Sequence, residues 1–142
     1  MRFTASGLFD NIVSLETIEH VPVPAVFVRH LKDLLRPEGH IIASVPVTPS
    51  VDANPHHLTD FTPRSFRKMF TDIGFVEIGC LDQMQPFSPI GLMKKEEERM
   101  QGMRQNMLGY YFTHPAAFIK RLYSTATVGF ANRYATIVWE LR

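Results

Sequence analysis

Two continuous apolar runs, Phe9–Leu15 and Ile41–Val45, flank a stretch whose apolar residues recur at helical spacing. That arrangement constrains the fold more than anything else in the chain. Runs of this kind suit strands buried on both faces of a parallel sheet, and parallel strands need a crossover of a dozen residues or more. Between them Pro22 and Pro24 open the helical pattern, and Phe27, Val28, Leu31, Leu34 and Leu35 share one face until Pro37 and Gly39 stop it. The unit is βαβ, and its crossover is right-handed.

Thr62 reads as an N-cap, Pro63 as the first helical residue and Phe61 as a staple onto Phe66, with Gly74 ending the helix in a left-handed conformation. Phe75–Leu81 is the next strand, and Arg133–Leu141 alternates well enough to be the last. Residues 46–60 form a long Pro-rich loop with His56 and His57, and Pro115–Tyr123 a short helix. Met93, Met100, Met103 and Met107 mark a Met-rich helical insertion at about residues 90–112, whose apolar face serves as core or as a lid, beside a charged, solvated face from Lys94 to Arg99.

At 142 residues the chain makes a single domain, and 45% apolar with 20% charged residues is too hydrophobic for a disordered protein. A net charge of +1 gives no footprint for nucleic acid or an anionic membrane. Cys80 is the only cysteine, so no intrachain disulfide forms and a reducing, cytoplasmic setting is expected. No apolar stretch approaches the ~20 residues of a membrane-spanning helix.

The chemistry concentrates just after the first strand. Glu16, Glu19 and His20 stand at i, i+3 and i+4 and converge if the chain turns helically there. They lie at the carboxyl end of a strand, where open α/β sheets bind ligands, and His57 leaves the neighbouring strand at the same edge. Two carboxylates and two imidazoles suit a divalent ion such as Mn, Fe, Co or Zn. The same residues also read as a helix cap and solvated loop groups.

The runs FDNIVSLETIEHV at 9–21, LLRPEGH at 34–40, SVP at 44–46 and NPHHLTDFT at 54–62 together resemble class I S-adenosylmethionine-dependent methyltransferases. The nearest likeness is to the group containing the ubiquinone-biosynthesis O-methyltransferases, over about residues 9–81. The resemblance implies an α/β fold, the second half of a Rossmann-like sheet. Phe9–Leu15 would be its fourth strand, Ile41–Val45 the fifth, Phe75–Leu81 the sixth, and Arg133–Leu141 an antiparallel seventh inserted between the fifth and sixth. It implies S-adenosylmethionine as cofactor, with Ser14, Leu15 and Glu16 beside its methionine part. Some relatives, small-RNA 2′-O-methyltransferases among them, hold a metal through E-x-x-E-H and a later His, a pattern matched here by Glu16, Glu19, His20 and His57, with Phe61 at the aromatic position. Without metal, His20 or His57 would be the catalytic base.

The family's Gly-rich turn has no counterpart here, since Gly7 is the only glycine before Phe9. The expectation is a truncated methyltransferase-like domain, 1–142, unable to bind cofactor or transfer methyl alone. Phe9–Leu15 then becomes an apolar edge strand that pairs with a second copy, giving a homodimer, or with a complementing chain. A non-catalytic partner-binding module and a divalent-metal-binding domain are the alternatives.

Overall fold

The computed structural model describes residues 7–88 and 102–142. In chain order these residues form β1 (Phe9–Leu15), a 3-10 turn (Ile18–His20), α1 (Pro24–Asp33), β2 (Leu35–Pro46), α2 (Pro63–Ile73) and β3 (Phe75–Pro86). Then come α3 (Met107–Thr113), α4 (Pro115–Val128) and β4 (Ala131–Leu141). Met93, Met100 and the charged face of the expected insertion lie outside the described residues. A turn at 102–106 leads into α3, where Asn106 Oδ1 accepts from the Gly109 N–H at 2.8 Å.

The sheet order is β1-β2-β4-β3. β1 and β2 are parallel, whereas β4 runs antiparallel to both of its neighbours, so the last strand is inserted as expected. This is a mixed α/β fold with flanking helices. Ile41, Ala43 and Val45 of β2 pair with Trp139, Ile137 and Ala135 of β4, and the two-residue period places all six on one buried face. Against it α2 lays Phe66 and Phe70, with Phe70 stacked on Trp139 at a centroid separation of 4.5 Å. Val28 and Leu31 of α1 complete that core together with Ile18 and Phe61.

Local signals explain α2. The Thr62 side chain accepts from the Ser65 N–H while Ser65 Oγ accepts from the Thr62 N–H, closing a capping box. Phe61 meets Phe66 edge-on at 5.8 Å, and Gly74 caps the far end at φ 102°.

Two expectations need correction. The first helix does not reach Pro37: it ends at Asp33, and β2 begins at Leu35. A residue before proline is driven out of the helical region, which makes Arg36 extended. Residues 36–39 then bulge out opposite Asp10, since Phe9 pairs with Leu35 but Asn11 with His40. The bulge needs a glycine, because a Cβ at Gly39 would lie 2.8 Å from the Arg36 carbonyl oxygen and 3.1 Å from that of Asp10. Secondly, β1 is not buried on both faces. Val13 is 60% and Leu15 53% exposed, because among the described residues β1 pairs with β2 alone and nothing covers its outer face. The third strand and the last helix also run further than their apolar patterns, to Pro86 and Val128. Cys80 is exposed and free, and no described helix is long and apolar enough to cross a membrane.

Candidate functional site

The carboxyl ends of β1 and β2 build the site. Beyond Leu15 the chain swings away through Glu16, whose φ of 48° turns it out of the strand, and tightens into the 3-10 turn. The loop after β2 folds back over that turn, with the Leu58 and Thr59 N–H groups both donating to the Glu19 carbonyl oxygen at 2.8 and 3.2 Å. The backbone thereby carries His57 over Glu19 and His20.

One carboxylate oxygen of Glu19 and one ring nitrogen each of His20 and His57 lie within 4.8 Å of one another. Both Glu19 carboxylate oxygens are buried without a hydrogen-bond partner. Burial pushes its pKa up to about 7, and the nearby Glu16 carboxylate adds to the shift. The imidazoles are held from behind. His20 Nδ1 is 3.0 Å from the His56 carbonyl, which only accepts, so the proton of a neutral ring sits on Nδ1 and leaves Nε2 bare. His57 Nδ1 meets Ser50 Oγ at 2.8 Å, and burial, helped by the charge of His20, holds its pKa below the usual imidazole value.

Glu16 stands apart from this trio. Its carboxylate accepts from Ser44 Oγ at 2.6 Å, and its pKa is raised by burial against the pull of that bond. Ser14 is buried with an unpartnered Oγ, while Leu15 projects outward. The structure thus joins Glu19, His20 and His57 and leaves Ser14, Leu15 and Glu16 as the adjoining strand end.

A cavity of about 520 Å³ opens in front of the trio. Its far wall comes from residues that spacing did not single out, among them Phe87, Tyr111, Arg121 and Phe130. Asp52 is buried and anchors that wall: Arg121 Nε donates to Asp52 Oδ2 at 2.8 Å, the Tyr111 hydroxyl donates to the same oxygen at 2.6 Å, and Arg121 Nη2 donates to the Pro49 carbonyl at 2.7 Å. Burial acts to raise the Asp52 pKa, but Arg121 and Tyr111 outweigh it and hold the carboxyl below its ordinary range. Burial and Asp52 together push the Tyr111 hydroxyl up to about 12. No local pattern marks these partners, which stand 59 and 69 residues from Asp52.

No curated protein matches this chain by sequence. Solved structures match by fold. A candidate methyltransferase from Bacillus halodurans C-125 superposes with a TM-score of 0.70 at 16% identity, covering 99% of this chain and 67% of its own. The YcgJ protein of Bacillus subtilis gives 0.62 at 13% identity, over 95% of this chain and 64% of its own. The cyclase SpnF gives 0.56 at 16%, with 95% and 51% covered. This chain therefore spans between about half and two thirds of those molecules, and a cyclase among them shows that the fold alone does not name a reaction. The family model of the methyltransferase domain matches residues 3–78, more than half of the sequence, and the chain belongs to that family.

Proposed function

We propose that this chain supplies the acceptor side of an S-adenosylmethionine-dependent methyltransferase site, with Glu19, His20 and His57 holding a divalent cation. The observation that carries the reading is the Glu19 carboxylate, buried without a hydrogen-bond partner and facing two imidazoles, the nearer, His20 Nε2, 3.9 Å away. A buried acid without a donor is costly unless something positive or hydrogen-bonding meets it. The donor chemistry fits a borderline ion, since a carboxylate and two neutral imidazoles are common ligands of Zn, Mn, Fe and Co. His20 also donates its other ring N–H to a backbone carbonyl, the usual support of a metal-binding imidazole.

Toward the cofactor, the buried hydroxyl of Ser14, the outward side chain of Leu15 and the turn at Glu16 are consistent with one wall of its pocket. S-adenosylmethionine would bring the electrophilic methyl group, and a cation would lower the pKa of an acceptor hydroxyl. The role left to this chain is positional: the trio fixes the acceptor's polar end, and the cavity wall keeps its body in place. A second reading dispenses with the cation. It is favoured by His57, whose lowered pKa keeps the ring neutral near pH 7 and able to take a proton from the acceptor.

Metal analysis of protein purified without chelator, followed by zinc titration, tests the site. Wild type should bind one equivalent and His57→Ala should lose it. His56→Ala should keep it, because only the backbone carbonyl of His56 supports His20. No ion bound under saturating conditions would end the cation reading. Calorimetry with S-adenosylmethionine should show no saturable binding by this chain alone, and micromolar affinity would overturn its assignment to the acceptor side only.

A further inference from the structure

The cavity's walls differ sharply in chemistry. One end is acidic and imidazole-lined, with Glu16, Glu19, His20 and His57. The lining also carries apolar side chains: Phe87 and Phe130 meet edge to face at 6.1 Å, and Met103 and Met107 are among the others. Methionine and paired aromatic edges suit an apolar body, with methionine adapting to its shape. The volume of about 520 Å³ lies within the range of small-molecule sites.

Charge narrows the class further. Among the described residues lining the cavity, Arg121 is the only lysine or arginine. Its guanidinium is committed to Asp52 and to the Pro49 carbonyl, so its charge is already answered within the fold. In the cation-free site, a phosphate or carboxylate entering there would bring a negative charge toward Glu16 and Glu19 with no answering lysine or arginine from the described lining. The unpartnered Glu19 oxygens instead call for a donor.

We infer that the cavity takes an uncharged small molecule with an apolar, ring-sized body and a hydroxyl or amine directed at Glu19 and His57, and that it rejects phosphorylated analogues. The inference rests on reading this cavity as the acceptor site, in its cation-free form.

Titration of the whole chain, freed of metal with chelator, with 2-naphthol and with 2-naphthyl phosphate, followed by calorimetry, tests it. The phenol should bind saturably and the phosphate at least tenfold more weakly. Phe87→Ala combined with Met107→Ala should weaken 2-naphthol about tenfold, with Trp139 fluorescence confirming that the core is intact. Equal or tighter binding of the phosphate, no binding of 2-naphthol, or a phenol affinity unmoved by the folded double variant would each overturn the inference. The two readings separate cleanly. Zinc without 2-naphthol sinks the ligand class alone, and 2-naphthol without zinc sinks the cation reading alone.

Discussion

Glu19 ties stability to pH in an unusual direction for an acid. Its folded pKa of about 7 lies above the ordinary 4.5, so the folded chain keeps a proton that the unfolded chain has released. The stabilising contribution is complete below about pH 4.5 and is lost as pH rises through 7. Glu19→Gln should therefore raise stability at pH 8 in the presence of chelator by about 1–3 kcal/mol, since each pH unit between the folded and unfolded pKa is worth ~1.4 kcal/mol, and leave it unchanged at pH 4. Thermal melts of both proteins at the two pH values check this, and a gain of equal size at both would refute it. The sequence indicated which residues mattered here better than it indicated their geometry. Helical spacing implied that Glu16 joins Glu19 and His20, but the chain turns at φ 48° and only then enters its short 3-10 turn, so Glu16 is drawn to Ser44 instead.

Among the elements, α2 was legible from its own residues because every device that bounds it is local: Thr62, Pro63, Ser65 and Gly74 act within one turn of its ends. The boundary between α1 and β2 was hidden, since Leu34 and Leu35 continue the apolar helix pattern while Pro37 imposes extension from beyond. The fastening of α3 and α4 to the loop after β2 left no trace at all, for Asp52 finds Tyr111 and Arg121 only in three dimensions. Asp52→Asn should cost about 3 kcal/mol, the lower end for breaking a buried pair, because the Arg121 side chain keeps 21% exposure. Urea unfolding measures the cost, and hydrogen exchange should show α4 opening faster while α2 is unchanged. The acid side has its own sign. Asp52 has a depressed pKa, so its contribution is complete above the ordinary carboxylate range and is lost as pH falls through the folded value. The variant should show less acid sensitivity than wild type.

At the scale of the molecule, the strand order followed from the family resemblance rather than from periodicity, which indicates strands but not which of them are neighbours. The described sheet has β1 at one edge, where Val13 and Leu15 stand exposed. Such edges recruit further strands. Light scattering after size exclusion should show a dimer at micromolar concentration, and Val13→Lys should shift it toward monomer; a clean monomer in the wild type would count against pairing through this edge. The inserted position of β4 has another consequence, in the order of synthesis. β2 and β3 are not hydrogen-bonded to each other; each pairs with a strand that leaves the ribosome after both. A nascent chain ending before residue 131 thus carries two unsatisfied strand edges and an aromatic core without Trp139, a condition that invites aggregation or a chaperone. Trp139, the only tryptophan, sits in that late strand against Phe70, so its fluorescence reports the closing step of folding rather than the early ones.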